Sequence, residues 1–228
     1  MILLYDGPSQ AILGCMTVGP AFDAAFREQL TALIAWRRDV RRFRRVPLPA
    51  DILPRLIDFA CLAPSVGLSQ PWRFVRVDDP ARRAAIRENF ARCNAEALAA
   101  QTDDRASRYA RLKLAGLDDA PVHLAVFADR ATSQGHGLGR RTMPEMIEYS
   151  AVAAVHTLWL AARAEGIGVG WVSILDAGSV AATLDVSPEW KLIGYFCIGY
   201  PEAEDDEPAL QRAGWERRRS AETALIQR

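Results

Sequence analysis

Arg37-Arg38-Asp39-Val40-Arg41 sets three guanidinium groups around one carboxylate, and Arg44 and Arg45 follow closely. Guanidinium forks match phosphate oxygens two at a time, so a cluster of this kind can capture a phosphate monoester. A solvated basic corner is the other reading of the same charges. Asp39 bears on the choice. A carboxylate beside an anion site weakens binding, so its presence points toward proton transfer, and the surrounding arginines should keep it ionised.

Two further segments have the residue types of a binding site. Ala63-Pro64-Ser65-Val66-Gly67-Leu68-Ser69-Gln70-Pro71-Trp72 is rich in turn formers. It reads either as a plain helix-to-strand turn or as a loop whose backbone donors edge a flat ring. In Glu165-Gly166-Ile167-Gly168-Val169-Gly170-Trp171-Val172-Ser173 the glycines follow a helix and open a strand. A dinucleotide fingerprint needs the opposite order, which excludes a Rossmann site. Gly170 instead marks a close approach by a ligand or by another backbone. No nucleophile elbow, Walker loop or SxxK occurs, so acyl transfer and ATP chemistry lack their residues. Asp118-Asp119 and Asp205-Asp206 sit in polar stretches and read as solvated turns. Cys15, Cys61, Cys93 and Cys197 form no CxxC pair, and His123, His136 and His156 have no ligand spacing, so no metal site is expected.

The elements that must position these residues follow from periodicity. Phe22, Phe26, Leu30, Leu33 and Ile34 repeat at helical spacing and predict an amphipathic helix over Phe22–Arg38, so the arginines follow its end. A second helix precedes Pro64, and a strand begins after Pro71. Pro80 to Leu117 has helical composition with a break at Thr102-Asp103-Asp104. Val122–Asp129 reads as a buried strand. Pro144–Glu165 reads as a helix apolar almost all round, stopped by Gly166 and buried on most sides, with a second subunit as one cover. The strand VGWVSILD, a short helix over DAGSVAATL and the long strand WKLIGYFCIGY complete the order. About four strands covered by helices make an α+β or α/β layer.

Composition narrows the function classes. The 228 residues are 50% apolar and 25% charged, and 28 basic residues balance 28 acidic ones. That balance removes the overall positive field by which nucleic-acid binders capture their targets. A chain of this length buries roughly 70% of its unfolded surface, so it needs neither disulfides nor a structural metal. Residues 21–228 read as a single domain and residues 1–20 as a loosely held extension without the basic start of a signal peptide. No stretch is long and apolar enough for a membrane span, and the absence of Cys pairing fits a reducing, cytoplasmic setting.

Taken together, RRDVR, APSVGLSQPWRF and the GxGxGWVS strand entry resemble the nitroreductase superfamily of FMN enzymes. The resemblance spans Arg37 to the C-terminal region. Asp39 stands where that superfamily usually has Ser, and Leu68 where it usually has Asn. With the ending GYP…LQRAGWER, these departures are similar to the branch that makes 5,6-dimethylbenzimidazole. The resemblance implies an α+β homodimer with a central mixed or antiparallel sheet flanked by helices and FMN at the subunit interface. It implies that Arg37 holds the phosphate, that Arg38 and Asp39 flank the phosphate and ribityl chain, that Val40 belongs to the same cofactor-binding segment, and that Arg41 faces the flavin N1/C2 edge. Pro64, Ser65, Gly67 and Gly170 would line the ring, Ser173 would lie near N5, and Arg217 would complete the phosphate clamp. The implied reaction is the fragmentation of reduced FMN by molecular oxygen to 5,6-dimethylbenzimidazole and erythrose 4-phosphate, with Asp39 and Ser173 catalytic and a separate flavin reductase as supplier. Residues 81–117 would form a lid. The alternative on the same scaffold is an NAD(P)H-dependent nitroreductase or flavin reductase that recycles its FMN.

Overall fold

Three aspartates start helices in the same way. Asp23, Asp79 and Asp176 accept hydrogen bonds from the amides of Phe26, Arg82 and Ser179 at 2.8, 2.9 and 2.7 Å. Each satisfies a donor that the first helical turn leaves unpaired. The helices they open are α1 (Ala24–Trp36), α3 (Pro80–Ala99) and α6 (Ala177–Leu184); the other α-helices among the described residues are α2 (Ile52–Cys61), α4 (Gly116–Asp119), α5 (Met146–Ala164) and α7 (Ala209–Arg212). This computed structural model describes residues 19–101 and 116–228. Most of the expected extension over 1–20, Cys15, the break at Thr102–Asp104 and the later part of the expected lid lie outside the described residues.

Four strands, β1 (Trp72–Arg76), β2 (Val122–Asp129), β3 (Gly168–Val172) and β4 (Trp190–Gly199), pair antiparallel in the order β1-β2-β4-β3. The α+β expectation holds. The strand expected over VGWVSILD is shorter, ending at Val172, and Ser173 emerges beyond it. β2 is buried along nearly its whole length because helices cover both faces of the sheet. On one face α2 and α5 pack Leu53, Leu56, Val155 and Leu158 against Phe196 and Ile198. On the other, Ile86 of α3 and Val180 and Leu184 of α6 meet Phe127 and Tyr195. Each such side chain contributes on the order of 1.5–3 kcal/mol by leaving water.

Inside that second layer the His123 Nδ1 lies 3.0 Å from the Tyr195 hydroxyl, with both rings buried. Burial, reinforced by the Arg83 charge, lowers the His123 pKa to about 4 and keeps the ring neutral. A bulge shifts the β2–β4 register between Val126 and Phe127, opposite Gly194. Gly194 has no substitute there, since a Cβ would run into the Trp171 indole.

Gly166 ends α5 in the left-handed conformation (φ 71°), as its placement predicts. The small residues Ser150, Ala151 and Ala154 face inward, while Tyr149 and Val152 stay exposed. The apolar stripe of α1 is also present, but Phe22, Phe26, Leu30 and Ile34 all remain exposed in the single chain. Among the described residues no helix is long and apolar enough to cross a membrane.

Candidate active site

The segment after α1 cannot stay helical and instead runs along the free edge of β3. Arg37 is extended, the Val40 amide donates to the Val169 carbonyl at 3.0 Å, and Asp39 bridges Val169 in parallel register. The glycine spacing of β3 makes room for it. A Cβ on Gly168 would come within 2.7 Å of the Val40 side chain, and one on Gly170 would collide with the Val40 carbonyl. Of the two approaches anticipated at Gly170, the one realised is by backbone.

Asp39 has two different oxygens as a result. Oδ1 accepts the Trp171 amide at 2.8 Å, covering a donor that an edge strand leaves open. Oδ2 lies 3.6 Å from Arg41 Nε, its ion-pair partner. The sequence reading keeps Asp39 ionised through its arginines; in the fold, burial is the larger influence and raises its pKa, with the Trp171 amide and Arg41 pulling the other way. A carboxylate shifted upward is a stronger base in its ionised form.

A cavity of about 480 Å³ opens beside this segment, walled by Arg37, Arg38, Asp39, Val40 and Arg41 and by Trp159 and Arg163 of α5. Trp159 supports the arginines twice: its indole N–H donates to the Arg38 carbonyl at 3.1 Å, and the Arg37 guanidinium sits 5.0 Å from its ring centre. Arg38 Nε and Arg41 Nε are buried without a hydrogen-bond partner. Buried guanidinium donors without acceptors are costly, so an anion in the cavity would relieve them. Burial, with Arg218 and Arg37 adding repulsion, lowers the Arg38 pKa.

The opposite wall is acidic. Arg163 pairs with Glu204 at 2.9 and 2.6 Å, Arg212 with Asp205, and the Arg38 guanidinium donates to the Asp206 carbonyl. Glu202 and Glu207 also line the cavity. Sequence reading misses this wall: Asp205, expected in a solvated turn, pairs with Arg212, while Asp206 is exposed as expected and offers Arg38 only its carbonyl. Complementary charge in residues 202–207 was the available signal, but only folding shows which arginines it meets. Trp159 and Arg163, one helical turn apart, were hidden in a helix that reads as packing.

The remaining candidate residues lie elsewhere. Pro64, Ser65 and Gly67 precede β1, at the other edge of the sheet. The Ser65 hydroxyl accepts the Gln70 amide at 3.1 Å, and the Val66 amide donates to Ser150 Oγ at 3.0 Å. Ser150 and Trp159 are nine residues apart on α5, roughly 13 Å along the helix. Gly67 (φ 57°) packs against Gly135, and Leu68, in the position of the family's Asn, takes φ 55° and is 70% exposed. Gln134 Nε2 donates to the Leu68 carbonyl at 2.8 Å. Ser173 is exposed at the end of β3. Arg217 is exposed and does not line the cavity, whereas Arg212 does.

The nitroreductase family pattern matches residues 34–200. The chain is 59% identical over 204 residues to the 5,6-dimethylbenzimidazole synthase of Rhodospirillum rubrum, covering 90% of this chain and 97% of that one. It is 48% identical over 195 residues to a 5,6-dimethylbenzimidazole synthase of Rhodobacter capsulatus, covering 86% and 94%. Among solved structures, an iodotyrosine deiodinase bound to FMN and 3-iodo-L-tyrosine superposes with a TM-score of 0.65 at 24% identity, covering 77% of this chain and 91% of that one. That likeness concerns the fold alone. With matched residues running from the end of α1 through β4 to Tyr200, and so across the arginine edge and the Pro64–Gly67 loop alike, the chain belongs to the nitroreductase family and stands with its 5,6-dimethylbenzimidazole synthase relatives.

Proposed function

We propose that this chain catalyses the oxygen-dependent fragmentation of reduced FMN to 5,6-dimethylbenzimidazole, the lower ligand of vitamin B12, and erythrose 4-phosphate. The observation that carries the reading is Asp39, a carboxylate whose Oδ2 meets only Arg41 at 3.6 Å on the wall of an arginine cavity, in a chain 59% identical to a 5,6-dimethylbenzimidazole synthase. The residues present fit a flavin nucleotide, because the buried Arg38 Nε has no acceptor and Arg41 Nε has only Asp39 Oδ2 at 3.6 Å, too far for a hydrogen bond. Reduced FMN is the electron-rich reactant and molecular oxygen the oxidant.

The protein's own groups divide the work. Arg37 and Arg38 bind the phosphate end, joined by Arg163 and Arg212 from the cavity wall. Arg41 is a fixed positive charge against the anionic reduced ring. Asp39 Oδ1 stays anchored on Trp171, so Oδ2 is the atom that takes a proton from the ribityl side. Gly170 contributes by admitting the Val40 backbone, and Ser173 orients the ring edge.

Pro64, Ser65 and Gly67 do not reach this cavity in one chain. A second copy presenting its loop would complete the ring-binding half of the site. The exposed apolar faces of α1 and α5 support such a homodimer, since unpartnered stripes of this kind normally pack against something. Chemically reduced FMN mixed with the protein in air should yield a benzimidazole by chromatography, with little NADH oxidation. A protein that purifies with tightly held yellow flavin, turns over NADH and makes no benzimidazole would instead be a flavin-recycling reductase.

A further inference from the structure

Ser173 lies where the chain leaves β3, and nothing within the strand fixes it. The structure does fix the far end of its loop. Asn89, on α3 and only 6% exposed, grips the backbone of Asp176 from both sides: its Nδ2 donates to the Asp176 carbonyl at 3.0 Å, and its Oδ1 accepts the Asp176 amide at 2.9 Å. The Cys93 thiol donates to the same Oδ1 at 3.4 Å. This is the hydrogen-bond pattern of a strand neighbour, made by a side chain. Asp176 also caps α6 through Ser179. Ser173, Ile174 and Leu175 therefore span two fixed points, Val172 in the sheet and Asp176 in the amide clamp.

We infer that Asn89 is a positioning residue that holds Ser173 in its working place through Asp176. The inference rests on the reading of Ser173 as a group that orients the flavin. A buried amide serves this role better than a charged group, because it satisfies a donor and an acceptor at once with no ionic desolvation cost. Misplacing a positioned group by about 1 Å can cost up to about 100-fold in rate.

Asn89→Ala, Ser173→Gly and the double variant separate the possibilities. The readouts are the single-turnover rate of benzimidazole formation from reduced FMN, the Kd for reduced FMN measured without oxygen, and amide hydrogen exchange across residues 173–176. The expected result for Asn89→Ala is faster exchange at 173–176 but not in β2 or β4, a rate lowered about 10- to 100-fold, and little change in Kd. In the Ser173→Gly background the same substitution should cost no further rate. Unchanged exchange at 173–176 overturns the clamp. An equal loss in both backgrounds overturns its action through Ser173. Faster exchange together with a full rate in Ser173→Gly leaves the clamp standing and removes the role of Ser173, and with it the positioning claim. If Asn89→Ala does not fold, Asn89→Gln, which moves the same amide one methylene outward, carries the same comparisons.

Discussion

The two edges of the sheet solve different problems. At the β3 edge, charged groups are held in place and left partly unsatisfied: Arg38 Nε and Arg41 Nε have no hydrogen-bond partner, and Asp39 Oδ2 meets only the Arg41 guanidinium, at 3.6 Å. At the β1 edge, the Pro64–Gly67 loop and the loop around Gly135 close on each other through backbone contact, with left-handed residues at Gly67, Leu68 and Gln70. Unsatisfied polarity suits a place that receives an anion, and tightly braced backbone suits a wall against a flat ring. On the proposed reading, chemistry falls to one edge and shape to the other.

The sharpest way to break that contrast is Asp39→Asn. The amide oxygen can still accept the Trp171 amide, but proton acceptance is lost, so benzimidazole formation should fall roughly 10²–10⁴-fold. Stability should move the other way. Burial raises the Asp39 pKa above the ordinary 3.8, so ionisation opposes folding: the penalty is absent below 3.8 and grows as pH rises toward the folded value. Asp39→Asn should thus keep or raise Tm at neutral pH. A lowered Tm with activity retained would make Asp39 a mere strand-edge cap.

The middle of the sheet supplies the reference between the edges. His123 takes up a proton in the unfolded chain near 6.5 but in the fold only at about 4. Stability is therefore lost as pH falls across that window, by about 3 kcal/mol. His123→Gln should flatten this part of a denaturation-versus-pH curve while leaving flavin affinity alone. An unflattened curve would show that the ring is not held neutral.

A matched pair of glycine substitutions then tests each edge by shape. Gly170→Ala meets the Val40 carbonyl, and Gly135→Ala meets the Gly67 carbonyl at φ 80°. Both should cost about 2 kcal/mol in urea unfolding. Only Gly170→Ala displaces the Asp39 segment, so it should lose activity in a single-turnover assay beyond what stability explains. Equal losses would dissolve the division between the edges.

The smallest effect concerns the acidic wall. Glu204→Gln frees Arg163, whose pairing with Glu204 is partly solvent-exposed, and should tighten FMN binding about 2- to 5-fold. Titration at low and high salt checks it, because the gain should shrink as salt screens the charges. Weaker binding would show that the wall helps to hold the ligand.

Much of the architecture was legible in the residues because it is written in short-range patterns. Val122–Asp129 is a strand from its apolar run and Gly166 a stop from its place after α5, whereas the capping roles of Asp23, Asp79 and Asp176 came only from the structure. Arg37 to Arg41 and Asp39 stood out for the same reason, since charge density needs no fold to be seen. Contacts between distant segments had no such trace. That Gly170 admits Val40, that Glu204 meets Arg163, that Asn89 grips Asp176, and that Pro64 and Arg37 end at opposite edges all depend on strand order. Local sequence dictates helix, strand and turn because those energies act over a few residues; which side chains become neighbours is decided only when the whole chain buries its apolar surface at once.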